Sequence, residues 1–446
     1  MLVLGVSVTA VITTLPDPEN PGDPLITQQI MLKPANGSGH DAADPVFWQS
    51  LLINDDIEVS PHRRMSGGAW VATLRGLPSA AAARRLFKDW QHRDLVEFAE
   101  IDTRVSTAAI PDDPLYELQW QLANERSDLA ALNLPGAWDI TTGSSDVVVA
   151  IIDTGVRFEN QELTGRLLPG YDFVSGINEF RSRQRVPDAL NFIKSHDGDG
   201  RDSDASDPGD GVDAFLSATM QAEDLDCPQQ ESTWHGTAMA SLVAANGNDN
   251  FGMTGVDWSA RILPIRAIGK CGGRRSDLLD AIRWAAGVDD PVLPDNPTPA
   301  RIINLSLGID DACTAADQQA IDDAVANGAL IVAAVGNLGR NLDDEPSSPT
   351  HCNNVLGVTA VDSHGYRASY SSYGLDADIA APGGEGPGGD NRPILIATND
   401  GFLDPIPGDS HRYTTGTSVA SPLVAGVISL MLSVNPELTN DEVRAC

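Results

Sequence analysis

The feature that most constrains this chain is a set of short, unbroken apolar runs in its last two-thirds. Val147–Ile152 reads VVVAII, and Arg261–Ile268, Ile302–Leu307, Leu330–Val335 and Val355–Val361 are of the same kind. A strand with one wet face alternates apolar and polar residues. A run without alternation belongs to a strand covered on both faces. Between the runs lie helical stretches at Gly236–Ala245, Ser276–Ala286 and Ala316–Asn327, and Ser418–Val434 is nearly all apolar, as a central buried helix is. The expected fold is therefore α/β: a doubly wound, mostly parallel sheet with helices on both faces.

The first hundred residues read differently. Pro16, Pro18, Pro21 and Pro24 mark a linker. A strand at Gln28–Lys33, a helix at Asp44–Leu52, strands at Ile57–Arg63 and Ala69–Leu74, a helix at Ser79–Gln91 and a strand at Leu95–Ile101 follow. The order βαββαβ predicts a small α+β, ferredoxin-like module. Thr107–Pro114 (TAAIPDDP) then breaks regular structure. Met1–Leu15 is charge-free and resembles the apolar part of a signal peptide, but it has no basic residue before Lys33 and no A-x-A site. It is too short to span a bilayer, and no apolar run reaches the roughly 18 residues of a membrane span. The chain stops in what reads as the first turn of another helix, Asp441–Cys446, so it is expected to be a fragment.

Charge narrows the partners. The chain carries 29 Lys+Arg against 63 Asp+Glu, a net charge of −34. A phosphate backbone repels such a surface, which argues against nucleic acid as a partner. Residues 1–109 hold 9 basic and 13 acidic residues, and residues 110–446 hold 20 and 50. The acid is densest in His196–Asp210, HDGDGRDSDASDPGD, with Asp197, Asp199, Asp202, Asp204, Asp207 and Asp210. Ca²⁺ takes 6–8 oxygen ligands, and closely spaced carboxylates on a Gly-containing loop can wrap it. Read alone, the run is either a solvated acidic loop or such a cation site; its spacing is not that of an EF-hand.

Three polar residues stand where apolar elements end or begin. Asp153 follows VVVAII, His235 opens a helix in Trp234-His235-Gly236-Thr237, and Ser418 opens the long apolar helix. Singly they read as a turn residue, a packed histidine and an N-cap. Together they are the parts of nucleophilic catalysis. A serine hydroxyl needs a base, histidine titrates near neutrality, and a buried carboxylate fixes the imidazole tautomer.

The segments Ile152-Asp153-Thr154-Gly155, His235-Gly236-Thr237 and Gly416-Thr417-Ser418-Val419-Ala420-Ser421-Pro422, in that order, resemble those of the subtilisin-like serine proteases, over about residues 111–446. The resemblance implies a subtilisin-like fold with Asp153, His235 and Ser418 as triad. Ala333-Ala334-Val335-Gly336-Asn337 resembles the oxyanion segment, with Asn337 as side-chain donor. Asn304-Leu305-Ser306-Leu307-Gly308 resembles the strand that pairs with substrate, implying contacts at Ser306, Leu307 and Gly308; Gly272 and Gly273 fall at the family's other substrate-pairing edge, or form a plain turn. Arg275, just past that edge, reads first as a solvated helix-start charge; the other reading is the rim of a distal subsite, where a cation favours an acidic substrate residue a few positions before the cut. One departure is Ala238, where the family motif HGTHVAG has its second His.

The cysteine contexts resemble those of extracellular subtilases of gammaproteobacteria, which have one Cys before WHGT and one in GKCGG. Of the three connectivities open to four cysteines, the resemblance favours Cys227–Cys271 and Cys313–Cys352 and leaves Cys446 unpaired. It also implies structural Ca²⁺ on the Asp-rich run, with Asp197, Asp199, Asp202 and Asp204 first and Asp207 and Asp210 after them. The domains implied are a leader and linker (1–26), an inhibitory, chaperoning propeptide (27–109) removed near Ala109, and a catalytic domain (110–446) truncated at its C-terminus. The protein so described is a secreted, monomeric serine endopeptidase made as a zymogen, acting on proteins and peptides. The alternatives are an inactive binding protein of the same fold and an α/β-hydrolase esterase. The second would need G-x-S-x-G, which Ser418 lacks.

Overall fold

The structure is a computed structural model that describes residues 26–35, 45–51, 57–77, 80–102, 109–123, 129–176, 193–222, 227–387, 389 and 392–446. The leader and most of the linker, together with Thr107 and Ala108 of the expected processing segment, lie outside the described residues. Two compact units divide between Thr107 and Ala108.

The first unit contains β1 (Ile26–Pro34), α1 (Pro45–Ser50), β2 (Glu58–Arg64), β3 (Trp70–Leu77), α2 (Ala80–His92) and β4 (Val96–Ile101). The sheet order is β2-β3-β1-β4, and every neighbouring pair is antiparallel. This is the βαββαβ arrangement read from the sequence. Ile30 and Leu32 of β1 are buried with Phe47, Leu86 and Trp90 from the two helices. Trp90 Nε1 donates to Leu51 O at 2.9 Å, which satisfies an indole N–H buried in that core.

The second unit is built on strands β5 (Val148–Asp153), β6 (Tyr171–Asp172), β7 (Arg261–Arg266), β8 (Ile268–Gly269), β9 (Gly272–Gly273), β10 (Ile302–Leu305), β11 (Leu330–Ala334), β12 (Val355–Val361), β13 (Ile379–Pro382), β14 (Ile394–Thr398) and β15 (Ser410–Thr414). Its helices are α3 (Leu134–Trp138), α4 (Ala214–Ala222), α5 (His235–Ala244), α6 (Arg275–Ala285), α7 (Ala315–Ala326), α8 (Thr417–Val434) and α9 (Asn440–Ala445). Seven strands form one parallel sheet in the order β13-β12-β11-β10-β5-β7-β6. Two hairpins, β8-β9 and β14-β15, stand apart from it.

Strand β5 shows why the apolar runs are unbroken. Successive side chains of a strand point to opposite faces. Val149 and Ile151 enter one core, with Ala238–Ala245 around α5 and Val419–Leu432 of α8. Val148, Ala150 and Ile152 enter the other, with Leu278 and Ile282 of α6 and Ile321 of α7. Both faces are dry, so neither parity along the strand can be polar. Helix α8 is long and apolar enough to cross a membrane by composition, yet most of it is buried inside this unit, where it is a core helix. Disulfides join Cys227 to Cys271 and Cys313 to Cys352, and Cys446 is free and exposed.

Candidate active site

Asp153 is the last residue of β5 and fully buried. Its Oδ1 accepts the Thr154 N–H at 2.8 Å. His235 is the first residue of α5, and its Nδ1 lies 2.8 Å from both Asp153 oxygens. A carboxylate only accepts, so Nδ1 carries the proton and Nε2 is left as a bare acceptor. Burial pushes the His235 imidazolium down, but the charge and hydrogen bond of Asp153, backed by Asp210 and Asp207, outweigh it and the net shift is upward. Two glycines let the elements meet. A Cβ on Gly236 would stand 2.1 Å from Gly155 O, so the helix start touches the Asp153-Thr154-Gly155 turn directly.

Ser418 is the second residue of α8, and its side chain shares a cavity of about 280 Å³ with His235. Asn337 follows β11. Its Oδ1 accepts from both Thr417 N (2.8 Å) and Thr417 Oγ1 (2.9 Å). Both partners donate, which fixes the amide orientation and turns Nδ2 the other way. A Cβ on Gly416 would be 3.0 Å from Ser418 Oγ and 3.5 Å from Asn337 Nδ2. The hydroxyl and the amide donor thus face one small space that only glycine keeps open.

A second chain of bonds fixes the start of α8. Pro422 lies inside the helix and has no N–H, so the Ser418 carbonyl one turn earlier lacks its intrahelical donor. Ser306 Oγ supplies it at 2.7 Å. Asn304 Nδ2 donates to Ser306 Oγ (2.9 Å), and Ser421 Oγ donates to Asn304 Oδ1 (2.7 Å). The Ser306 side chain is therefore directed at the helix rather than outward. Leu307 is half-buried and Gly308 exposed, and among the described residues their amides and carbonyls make no backbone hydrogen bond. Gly272 and Gly273 are exposed and pair with Gly269 and Ile268 in the β8-β9 hairpin.

Residues 144–446 match the peptidase S8 description, "Subtilase family". The chain belongs to the subtilase family. It is similar to an extracellular protease of Xanthomonas campestris pv. campestris, 36% identical over 84% of this chain and 58% of that protein. It is similar to an extracellular basic protease of Dichelobacter nodosus, 36% identical over 76% of this chain and 51% of that one. The chain thus spans a little over half the length of these curated relatives. Among solved structures, proteases from Pseudoalteromonas arctica PAMC 21717 match with a TM-score of 0.65 at 40% identity, over 75% of this chain and 90% of that chain.

The Asp-rich run of this subtilase divides in two. Asp207 and Asp210 are buried and their oxygens are already bonded. Asp207 Oδ2 accepts from Thr154 Oγ1 at 2.6 Å and Oδ1 from Gly209 N at 2.8 Å. Asp210 accepts from Thr233 N (2.6 Å) and Thr233 Oγ1 (2.9 Å). Asp207 and Asp210 brace the residues that flank Asp153 and His235, since Thr154 Oγ1 also accepts the Gly236 N–H at 3.0 Å. Burial raises Asp207 to about 7.

Asp197 pairs with the buried Arg266 at 2.6 Å. Asp199 and Asp204 are exposed and Asp202 is half-exposed, on Gly198 and Gly200 turns. The Asp199 carboxyl is raised, by what burial it has and then by the charges of Asp202, Asp197 and Asp204. These four share one negative field, which a divalent cation would relieve. Among the described residues, three potential ligand side chains come within 4.8 Å of one another only at Cys313, Asp317 and Cys352, and two of those are in a disulfide. Arg275 is paired with Asp311 (3.2 Å) and Asp317 (3.5 Å), so its charge is matched within the fold rather than solvated alone.

Proposed function

We propose that this subtilase is a secreted serine endopeptidase that hydrolyses protein and peptide substrates. What carries the reading is one arrangement: the Asp153–His235 pair at 2.8 Å, with Ser418 Oγ in the same cavity and Asn337 Nδ2 facing that hydroxyl across Gly416. His235 Nε2 takes the proton of Ser418 as Oγ attacks the scissile carbonyl, and Asp153 stabilises the imidazolium. The carbonyl oxygen becomes an oxyanion that accepts from Asn337 Nδ2 and the Ser418 N–H, at the positive start of α8. His235 then returns the proton to the leaving nitrogen, and the amine departs. Water, activated by the same imidazole, releases the acyl group and restores Ser418.

Extended substrate runs along the free backbone of Leu307 and Gly308 on one side and the Gly272-Gly273 hairpin on the other. Backbone pairing there gives affinity without demanding one sequence. Asp199, Asp202 and Asp204, with Asp197, are the residues that would hold a structural Ca²⁺, whose chemistry is to neutralise and close the loop. Residues 27–109 serve as propeptide and inhibitor, and self-processing near Ala109 yields a monomeric enzyme. The relatives' printed names, extracellular proteases, support the activity and the export.

The test is a fluorophosphonate serine probe on purified protein, followed by peptide mapping. Label on Ser418, absent in Ser418→Ala, is expected. Protein that neither takes the probe nor cleaves casein would instead be a binding protein of this fold.

A further inference from the structure

The stretch TAAIPDDP reads as exposed and irregular, yet from Ala109 onward it is bonded in place. Ala109 N donates to Asp139 Oδ1 at 2.8 Å. The Ala109 side chain is half-buried and packs on the core that holds residues of α5 and α8. Asp112 Oδ1 accepts from Asn250 N (2.9 Å), Asp113 Oδ2 accepts from Asn248 N (2.7 Å), and Leu115 N donates to Gly252 O (2.8 Å). Residues 109–115 thus follow one fixed path, and Asp139 holds its first residue.

Asp139 is itself fixed by its neighbours. Trp138 Nε1 donates to Val256 O at 2.8 Å, and Thr141 Oγ1 lies 2.9 Å from Ser433 Oγ. Ser433 is near the end of α8 and Ser418 near its start. A rise of about 1.5 Å per residue puts roughly 22 Å of helix between them. Asp139 and Ala109 therefore stand at the end of α8 that is remote from Ser418. Among the described residues, the Asp139 carboxylate has this one hydrogen bond and no ion-pair partner.

Hydrolysis of the Ala108–Ala109 bond changes the donor that Asp139 meets. Water adds across the bond as the C–N bond breaks. The hydroxyl stays on the Ala108 carbonyl carbon, which becomes a carboxylate after losing its proton, and the Ala109 nitrogen becomes an amine. An α-amine has a pKa of about 7.7–8.0, so at neutral pH it takes up a further proton. A neutral N–H···Oδ1 contact becomes an ammonium–carboxylate pair, a bond of roughly twice the strength. A cut one residue later would remove Ala109 and leave Asp139 without a donor.

We propose that Asp139 is the binding site for the α-ammonium created at Ala109, and that it fixes the mature N-terminus at that residue. The proposal rests on the self-processing reading and names its bond, Ala108–Ala109. Pairing keeps the new end away from Ser418, where a loose end would be trimmed further.

The experiment compares matured wild-type enzyme with Asp139→Asn and Asp139→Glu. Intact mass should show one species beginning at Ala109 in the wild type. Asp139→Asn still accepts from an amide but has no charge, and its N-terminus should be ragged, with starts beyond Ala109. Asp139→Glu should restore the single start. With Ser418 blocked by a fluorophosphonate, matured Asp139→Asn should melt about 1–2 °C below wild type, the size of an exposed ion pair, and 1 M NaCl should shrink that gap. In uncut chains carrying Ser418→Ala, the same Asp139→Asn change should leave the melting temperature unmoved, because no ammonium exists there. A mature start other than Ala109, matured forms that melt alike, or an equal drop in the uncut chains overturns the site and leaves self-processing standing. Wild-type protein that cleaves casein while its own chain stays full length would overturn the self-processing reading, and the site with it.

Discussion

Ser306 donates its hydroxyl, at 2.7 Å, to the main-chain carbonyl of Ser418, the carbonyl that Pro422 leaves without a helical donor. A residue of the proposed substrate-pairing segment thus holds the backbone of the residue that carries the candidate nucleophile. Ser306→Ala should leave that carbonyl and Asn304 Nδ2 without partners and cost about 1–3 kcal/mol of stability. Thermal unfolding in a Ser418→Ala background, where self-digestion cannot intrude, measures it. An unchanged melting temperature would mean that the bond carries no net stability.

Asn337 should act on the transition state rather than on binding. Asn337→Ala should lower kcat by about 10²–10³ with little change in KM, a magnitude carried over from subtilisin, a member of the same family. The same substitution removes the acceptor of Thr417 N and Oγ1, so a far larger KM effect would point to a displaced helix start instead.

The pH profile follows from His235. The base must be neutral to take the serine proton, and its pKa is raised, chiefly because Asp153 outweighs burial. The acid limb of kcat/KM should therefore lie above the ordinary histidine value of about 6.5. Asp207→Asn removes one of the charges behind the imidazole and should move the limb to lower pH. Asp207 also has a stability signature. It ionises near 4 when unfolded and at about 7 when folded, so between those values the native state binds more protons and stability falls as pH rises. The variant should flatten that slope in unfolding measured from pH 4 to 7.

Chelation should act on stability before activity. With the four carboxylates at Asp197, Asp199, Asp202 and Asp204 unneutralised, EGTA should lower the melting temperature by about 5 °C, the shift expected when a ligand at about 100 times its Kd is withdrawn. Turnover measured immediately should change little. A melting temperature indifferent to both EGTA and added Ca²⁺ would remove calcium from this loop.

Maturation is read by N-terminal sequencing. Active protein should begin near Ala109, whose N–H is bonded to Asp139 Oδ1 at 2.8 Å, beside the exposed Ile110. Ser418→Ala protein should stay full length. Active enzyme that still starts before Gln28 would count against self-processing.

The parts of this site that were legible in the sequence share one property: a polar residue at the end of an uninterrupted apolar run. Asp153 after VVVAII and Ser418 before a buried helix are exceptions that burial would not tolerate without cause. The central strands and helices were legible for the same reason. Hairpin β14-β15 was not, because Ser410–Thr414 is half-exposed and polar and Ile394–Thr398 follows a stretch rich in Gly and Pro. That hairpin carries Ile396, Arg412 and Thr414, so the cavity beside His235 and Ser418 was invisible with it. Helix α4 went unseen inside the acidic insert. The partners of Asp207 and Asp210 were not legible, because composition shows carboxylates but not their neighbours, and only the fold brings Thr154 and Thr233 to them.

The central pairing of the parallel sheet sets a timetable. Val149 lies beside Ile302, and Ile303 beside Ile331, so β10 cannot dock until about half the chain has been gathered around it. Ser306 and Ser418 are reached only through that strand and the helix behind it. Non-local pairings of this kind form late, because loop-closure entropy is lost before contacts compensate for it. The grouping of Asp153, His235 and Ser418 then arrives only when the sheet is complete, so a partly folded chain holds the parts of the candidate site without the site itself.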